Sequence, residues 1–365
     1  MLKYESAPHG RFIIFENKEA FCEHEFKFDI SFDEFLCSYR DRPFFMNAVS
    51  GKDVSEIPPE TQFLLTKSGK EYTVLFPLAD SASRMSLCGG KKLSICVETG
   101  DRNAPVKSGI AAYMATGEFP YALISSAMED ISKRLGTFRL KCDKAVPKFM
   151  KYFGWCTWNA MDIDVSTEKL ISGLESFGEF VPKFLLLDDG WQTTNDSYGA
   201  RGQWKRSSFM CNAKLDGGLR ATVEKCRSLG VESFFVWHAL MGYWGGIDTE
   251  SPEMKPYNPE LKFAKFNKYL HKNNAKSCAE NEIYYGLAAN DKIFDFYNDY
   301  HKYLAAEGVD GVKVDTQYYG EAVSEGRGGR TALYEKLREG LEASVNLNFG
   351  GELINCMSGG NDITY

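Results

Sequence analysis

Two short apolar runs in this chain end abruptly in acid. Leu185-Leu186-Leu187 gives way to Asp188-Asp189-Gly190-Trp191, and Gly311-Val312-Lys313-Val314 gives way to Asp315. A buried strand that stops in Asp holds charge at the mouth of a parallel sheet. Side chains alternate along a strand, so Gly311, Lys313 and Asp315 share one face while Val312 and Val314 share the other. An inward Lys and Asp are costly to bury unless they pair or meet a polar ligand. The ammonium also favours the ionised carboxylate, which is the state a nucleophile needs. A structural Lys–Asp pair capping the sheet satisfies the same spacing, and both readings stand at this level. Asp188 and Asp189 suit sugar hydroxyls, a metal or helix amides; a plain capping role fits them as well. The tight turn and flat indole of Gly190-Trp191 favour the sugar.

The elements that must position these acids change character along the chain. Up to about residue 125 the pattern is one of short aromatic or β-branched runs, at 11–15, 26–30, 61–65, 72–76, 92–97 and 121–124. Turn residues such as Ser68-Gly69-Lys70 and Gly89-Gly90 separate them, which predicts an antiparallel β-sandwich. Residues 125–139 read as a helix and 141–151 as a linker containing Pro147. Strand then alternates with helix: strands at 152–158, 184–188, 232–237, 310–315 and 352–356, helices near 166–178, 217–229, 290–306 and 330–345. Asn290 reads as the N-cap of its helix, and 239–289 as a long loop over the strand ends. The expected architecture is therefore multidomain: a sandwich over 1–145, then the first five strands of an α/β (β/α)8 TIM barrel over 146–365. The segment after the linker falls short of the about 250 residues that a full barrel needs. An open barrel also leaves a strand edge unpaired, which predicts poor solubility of this chain alone.

Composition narrows the classes. The net charge of −7 and the lack of a basic block speak against a nucleic-acid partner. No window has the length and hydropathy of a membrane span, and Met1-Leu2-Lys3-Tyr4-Glu5-Ser6 has no signal-peptide core. Ten Cys without CxxC pairing read as free thiols, and the expectation is a cytoplasmic protein. The His residues show no zinc spacing, His238 reads as a hydrogen-bonded structural residue, and neither Walker A nor GxGxxG occurs. No metal or cofactor is expected; the partner is a small-molecule substrate.

The residues already named, with Gly154-Trp155-Cys156-Thr157-Trp158, Ile57-Pro58-Pro59-Glu60-Thr61-Gln62 and Asn355-Cys356-Met357-Ser358, occur in the order found in one family. The chain resembles the raffinose synthase / seed-imbibition-protein branch of glycoside hydrolase family 36. That resemblance implies retaining cleavage of α-galactosides without metal or cofactor. By motif position it implies Asp315 as nucleophile, Lys313 on the sugar beside it, and Asp188 and Asp189 on galactose hydroxyls. It also implies Trp155, Trp237 and Cys356 as the lining of the same subsite. The family's acid/base Asp lies on a later strand, so none is assigned in this chain, and Asp362 is too near Cys356 to be that residue. A galactosyltransferase of the same fold and a non-catalytic sugar-binding fragment are the alternatives.

Overall fold

The structure is a computed structural model that describes residues 1–198, 201–265 and 283–365. Its N-terminal part is one antiparallel sheet of ten strands that curls into a sandwich-like near-barrel. The strands are β1 (Leu2–Ser6), β2 (Arg11–Phe21), β3 (Glu23–Phe28), β4 (Glu34–Arg42), β5 (Phe45–Gly51) and β6 (Thr61–Ser68). They continue with β7 (Glu71–Pro77), β8 (Arg84–Cys88), β9 (Leu93–Glu98) and β10 (Val106–Gly117). The sheet buries two apolar layers. Ile13, Phe15, Leu64, Leu75, Leu87, Ile95 and Ala112 fill its concave side. Phe12, Val74, Phe76 and Tyr113, their neighbours in the alternation, pack under helix α1 (Pro120–Leu135) through Ala127 and Ile131. Alternation therefore decides which side chain meets which core.

The expected strand at 121–124 is the first turn of α1 instead. Pro120 stands at N1, where its missing N–H costs nothing and its fixed φ starts a helix. Gly136, at φ +72°, ends it by donating its N–H to Ser132 O.

The second part is a five-stranded parallel sheet in the order β11-β12-β15-β18-β19. Its strands are β11 (Gly154–Cys156), β12 (Phe184–Leu187), β15 (Ser233–Ala239), β18 (Gly311–Asp315) and β19 (Leu353–Asn355). Two antiparallel hairpins project from it: β13 (Gln192–Asn195) with β14 (Lys205–Cys211), and β16 (Glu260–Phe263) with β17 (Tyr284–Leu287). The helices beside it are α2 (Thr167–Glu175), α3 (Gly218–Ser228), α4 (Ile293–Ala306) and α5 (Arg330–Phe349). This is part of a (β/α) barrel, with Val312, Val314, Val236 and Leu185 buried in one core with Leu170, Leu304 and Leu341 from the helices. Each such aliphatic, fully buried, contributes about 1.5–3 kcal/mol. At the start of the strands Phe149 packs on Phe184 and Phe235 with ring centroids 5.0 and 5.1 Å away. The linker thus closes one end of the sheet and leaves the acids at the other.

Two expectations about this part change. The stretch 239–289 is not only loop, since it carries the β16–β17 hairpin; its residues 266–282 lie outside the described residues, Cys278 among them. Asn290 is not an N-cap. Its side chain is engaged with Arg327, while Lys292 stands at the start of α4.

Candidate active site

Three adjacent strands bring the acids together. β12 ends at Leu187, so Asp188 and Asp189 lie just past its carboxyl end, and β18 delivers Asp315 as its last residue. Between them runs β15, where Trp237 is in register with Lys313 and Ala239 with Asp315. The Asp-Asp turn requires Gly190: its φ is +108°, and a Cβ there would sit 2.2 Å from Ile163 O.

Asp188 is the hub. Its Oδ2 accepts from Lys313 Nζ at 2.7 Å and lies 3.3 Å from the Cys156 thiol, which donates to it. Its Oδ1 accepts the Asp189 N–H at 2.9 Å. Asp189 Oδ2 accepts from Trp244 Nε1 at 2.7 Å. Asp315 is gripped at both oxygens: Oδ2 by Trp237 Nε1 at 2.9 Å and Oδ1 by the Thr316 N–H at 2.6 Å. No ion pair to Asp315 occurs among the described residues, although Lys313 lies near enough to feel its charge. Charge-assisted bonds of this kind are strong and directional, so each carboxylate has a fixed heading.

Burial by itself would lower the Lys313 pKa, but the Asp188 carboxylate outweighs it and holds the ammonium above its ordinary value. The flanking thiols are inert by the same physics. Burial, reinforced by Asp188, pushes Cys156 up to about 11, and burial, reinforced by Asp315, pushes Cys356 up to about 12. Neither is a nucleophile near neutrality.

Asp188, Asp189, Lys313, Asp315, Trp237 and Cys356 therefore form one cluster. Trp155 does not join it. On β11 it points to the opposite side from Cys156 and packs its ring on Phe177 of the helix layer at 5.7 Å, with Gly173 beneath it. Strand alternation puts Cys156 where the indole was expected. Trp237 also differs from a sugar platform: it is fully buried, stacked under the part-exposed Trp244 at 5.9 Å, and its working atom is Nε1. Trp244 and Thr316 are site residues that the sequence reading missed. Trp244 comes from the stretch read as loop, so no local pattern marks it.

His238 is structural. Its Nδ1 faces Ala239 O at 2.9 Å and so carries the proton, which makes Nε2 the acceptor from His301 Nε2 at 3.0 Å. His301 Nδ1 then accepts from Ser344 Oγ at 2.7 Å. Burial drives His238 down to about 3 and His301 well below its usual value, so both stay neutral. Asp362 is ion-paired with Arg330, away from the strand-end acids. A cleft of about 190 Å³ opens between the two sheets, among Glu98, Arg102, Lys265, Glu325 and Arg330. It is not the carboxylate cluster, and chemistry rather than volume identifies the site.

A family model described as raffinose synthase or seed imbibition protein Sip1 matches residues 4–365. A probable galactinol–sucrose galactosyltransferase 1 of Arabidopsis thaliana is 32% identical over 373 residues, covering 91% of this chain and 50% of the relative. A stachyose synthase of Pisum sativum is 25% identical over 440 residues, covering 91% and 51%. The chain spans about half the length of the curated relatives it matches. Among solved structures, an α-galactosidase from Thermus thermophilus in complex with stachyose superposes with a TM-score of 0.59 at 15% identity, over 98% of this chain and 74% of that one. A family 36 α-galactosidase from Geobacillus stearothermophilus, also with stachyose, gives 0.57 at 13% identity, over 99% and 54%. At such identities the superpositions speak for the fold alone. Among the described residues no helix is long and apolar enough to cross a membrane. With the family model matched from residue 4 to residue 365, this chain belongs to the raffinose synthase / seed imbibition protein family.

Proposed function

We propose that this chain supplies the nucleophile and the galactose-binding groups of a retaining enzyme that removes terminal α-galactosyl residues from raffinose-type oligosaccharides. The observation that carries the reading is the convergence of Asp188, Lys313 and Asp315 at neighbouring strand ends, each with a fixed heading. Asp315 Oδ attacks the anomeric carbon while the bond to the leaving oxygen breaks, forming a galactosyl ester. The leaving oxygen takes a proton from a general acid; no residue of this chain is assigned to that role. In the second step water attacks the anomeric carbon, its proton goes to the same group now acting as base, and Asp315 is released.

Asp188 and Asp189 bind the sugar as hydrogen-bond acceptors for its hydroxyls. Lys313 holds Asp188 in place and presents its remaining N–H groups to the same ligand. Trp237 and Thr316 orient Asp315 rather than touch the sugar. Turnover of an aryl α-galactoside tests this reading, with Asp315→Ala expected to abolish it; retained turnover would remove Asp315 as the nucleophile.

A second reading is transfer of the galactosyl group to a sugar hydroxyl in place of water. It is supported by the relatives, whose names are those of galactosyltransferases acting between galactinol and sucrose. Sucrose diverting the galactosyl group from water would favour transfer, and indifference to sucrose would favour hydrolysis. Calorimetry with galactose addresses the binding-only alternative, since binding without any turnover would leave it standing. The working compartment proposed is the cytoplasm.

A further inference from the structure

Thr316, immediately after Asp315, has φ +54°, a left-handed conformation that a β-branched residue rarely adopts. Thr316 is fully buried, and its Oγ1 has no hydrogen-bond partner among the described residues. Strain and an orphaned hydroxyl at one residue persist only where the surroundings over-determine its conformation. What the conformation delivers is the N–H that grips Asp315 Oδ1 at 2.6 Å.

The surroundings can be followed outward. Gln317 O accepts from Tyr334 Oη at 2.8 Å, and Tyr334 Oη accepts the Glu321 N–H at 3.1 Å. The Glu321 carboxylate is held by Arg330 and, from the sandwich, by both terminal nitrogens of Arg40 at 3.2 and 2.5 Å. Arg40 is itself fixed through Nη2 to Pro43 O at 2.8 Å. A second set of sandwich contacts holds the same segment. Arg330 N–H donates to Thr99 O at 2.7 Å, and the Gly326 and Gly328 N–H groups donate to Asp101 Oδ2 at 2.9 and 3.1 Å.

We propose that Arg40 of the sandwich is a positioning residue for Asp315, acting through Glu321 and Tyr334 to impose the left-handed turn at Thr316. The proposal rests on the reading of Asp315 as nucleophile. It gives the sandwich a part in the chemistry: the barrel strand supplies the carboxylate, and the sandwich sets its heading.

The test uses α-galactosyl fluoride, with which Asp315 forms a C–O bond as the C–F bond breaks and fluoride leaves with its electron pair. No proton donor is needed, so the labelling rate reports on Asp315 itself. Labelling rate is read by intact mass, and galactose affinity by calorimetry. Arg40→Met is expected to slow labelling by about tenfold or more, because small misplacements of a nucleophile cost rate steeply. Galactose affinity should stay within about twofold, since Asp188, Asp189 and Lys313 are outside the chain of contacts. Thr316→Gly supplies a background in which the turn needs no outside support, because Gly adopts a left-handed φ without strain. The double variant Arg40→Met/Thr316→Gly should regain at least about threefold of the lost rate, since the imposed turn is then intrinsic. If Arg40→Met does not fold, Glu321→Gln takes its place in both arms. Labelling of Arg40→Met at the parent rate, or no recovery in the double variant, overturns the proposal. A parent chain that never labels overturns the nucleophile reading itself, and this proposal with it.

Discussion

Two charged clusters are buried in this molecule, and they are built on opposite plans. Between the sheets, the guanidinium groups of Arg40, Arg84 and Arg330 interleave with the carboxylates of Glu60, Glu98, Glu321 and Asp362. Arg84 alone bonds Glu60 at 2.8 and 2.6 Å, Glu98 at 2.8 Å and Asn361 at 2.9 Å. At the strand ends, by contrast, Lys313 is ion-paired with Asp188 alone among the described residues, and Asp189 and Asp315 are gripped by N–H donors from Trp244, Trp237 and Thr316. Burial does not tell the clusters apart, since Glu60 is 1% and Asp189 0% exposed. The donors do. A guanidinium fork ties a carboxylate to a cation, whereas an indole or backbone N–H aims it without neutralising it. The first plan joins the two sheets; the second fixes the heading of each carboxylate.

Deleting the centre of each cluster should separate the two plans most sharply. Arg84→Met strands buried carboxylates and should cost about 3–5 kcal/mol in urea unfolding. A cost under about 1 kcal/mol would mean that the interdomain cluster is not what fastens the sheets. The same cluster predicts an acid limit. Burial alone would raise the Glu60 pKa, but Arg84 and Arg40 bring it from 4.5 down to about 2, and Asp362 is lowered too, chiefly by Arg330 against its burial. A depressed acid contributes stability that is complete above its unfolded pKa and lost as pH falls through the folded one. Stability should therefore decline from about pH 4.5 toward about pH 2, less steeply in Glu60→Gln.

At the strand ends the effects should be smaller on stability and larger on ligand. Lys313→Met removes the cation from a buried Asp188 and should cost about 1–3 kcal/mol. It should also weaken galactose binding by about tenfold or more in calorimetry, and unchanged affinity would detach Lys313 from the subsite. Alkylation of Cys156 and Cys356 by iodoacetamide at pH 8 should lag well behind that of glutathione, given values of about 11 and 12. The smallest stability effect belongs to Asp315→Asn, which keeps the shape and removes one buried charge. Its unfolding free energy should stay within about 1 kcal/mol of the parent or rise, as at sites kept for function rather than stability.

The two clusters also differ in how legible they are in sequence. Asp188, Lys313 and Asp315 announce themselves because strand period and an abrupt polar stop are local signals. The five barrel strands are legible for the same reason, although β11 and β19, at three residues each, are shorter than the spans expected of them. Trp155 was misplaced because motif position carries no facing; the period of two turns it to the helices and turns Cys156 inward. The 121–124 run was misread because aromatic and β-branched residues suit strands, while Pro120 settles the matter for a helix. Arg40 and Glu321 carry no local signal in the sequence. They are 281 positions apart, and only the packing of one sheet on the other makes them partners.

The most direct measurement is to locate the galactosyl group. After reaction with α-galactosyl fluoride, the protein is digested at low pH and the labelled peptide sequenced by mass spectrometry. A single galactosyl ester on the Asp315 side chain is expected, absent from Asp315→Asn and present in Asp188→Asn at a reduced rate. A label on Asp188, Asp189 or any other carboxylate would contradict it.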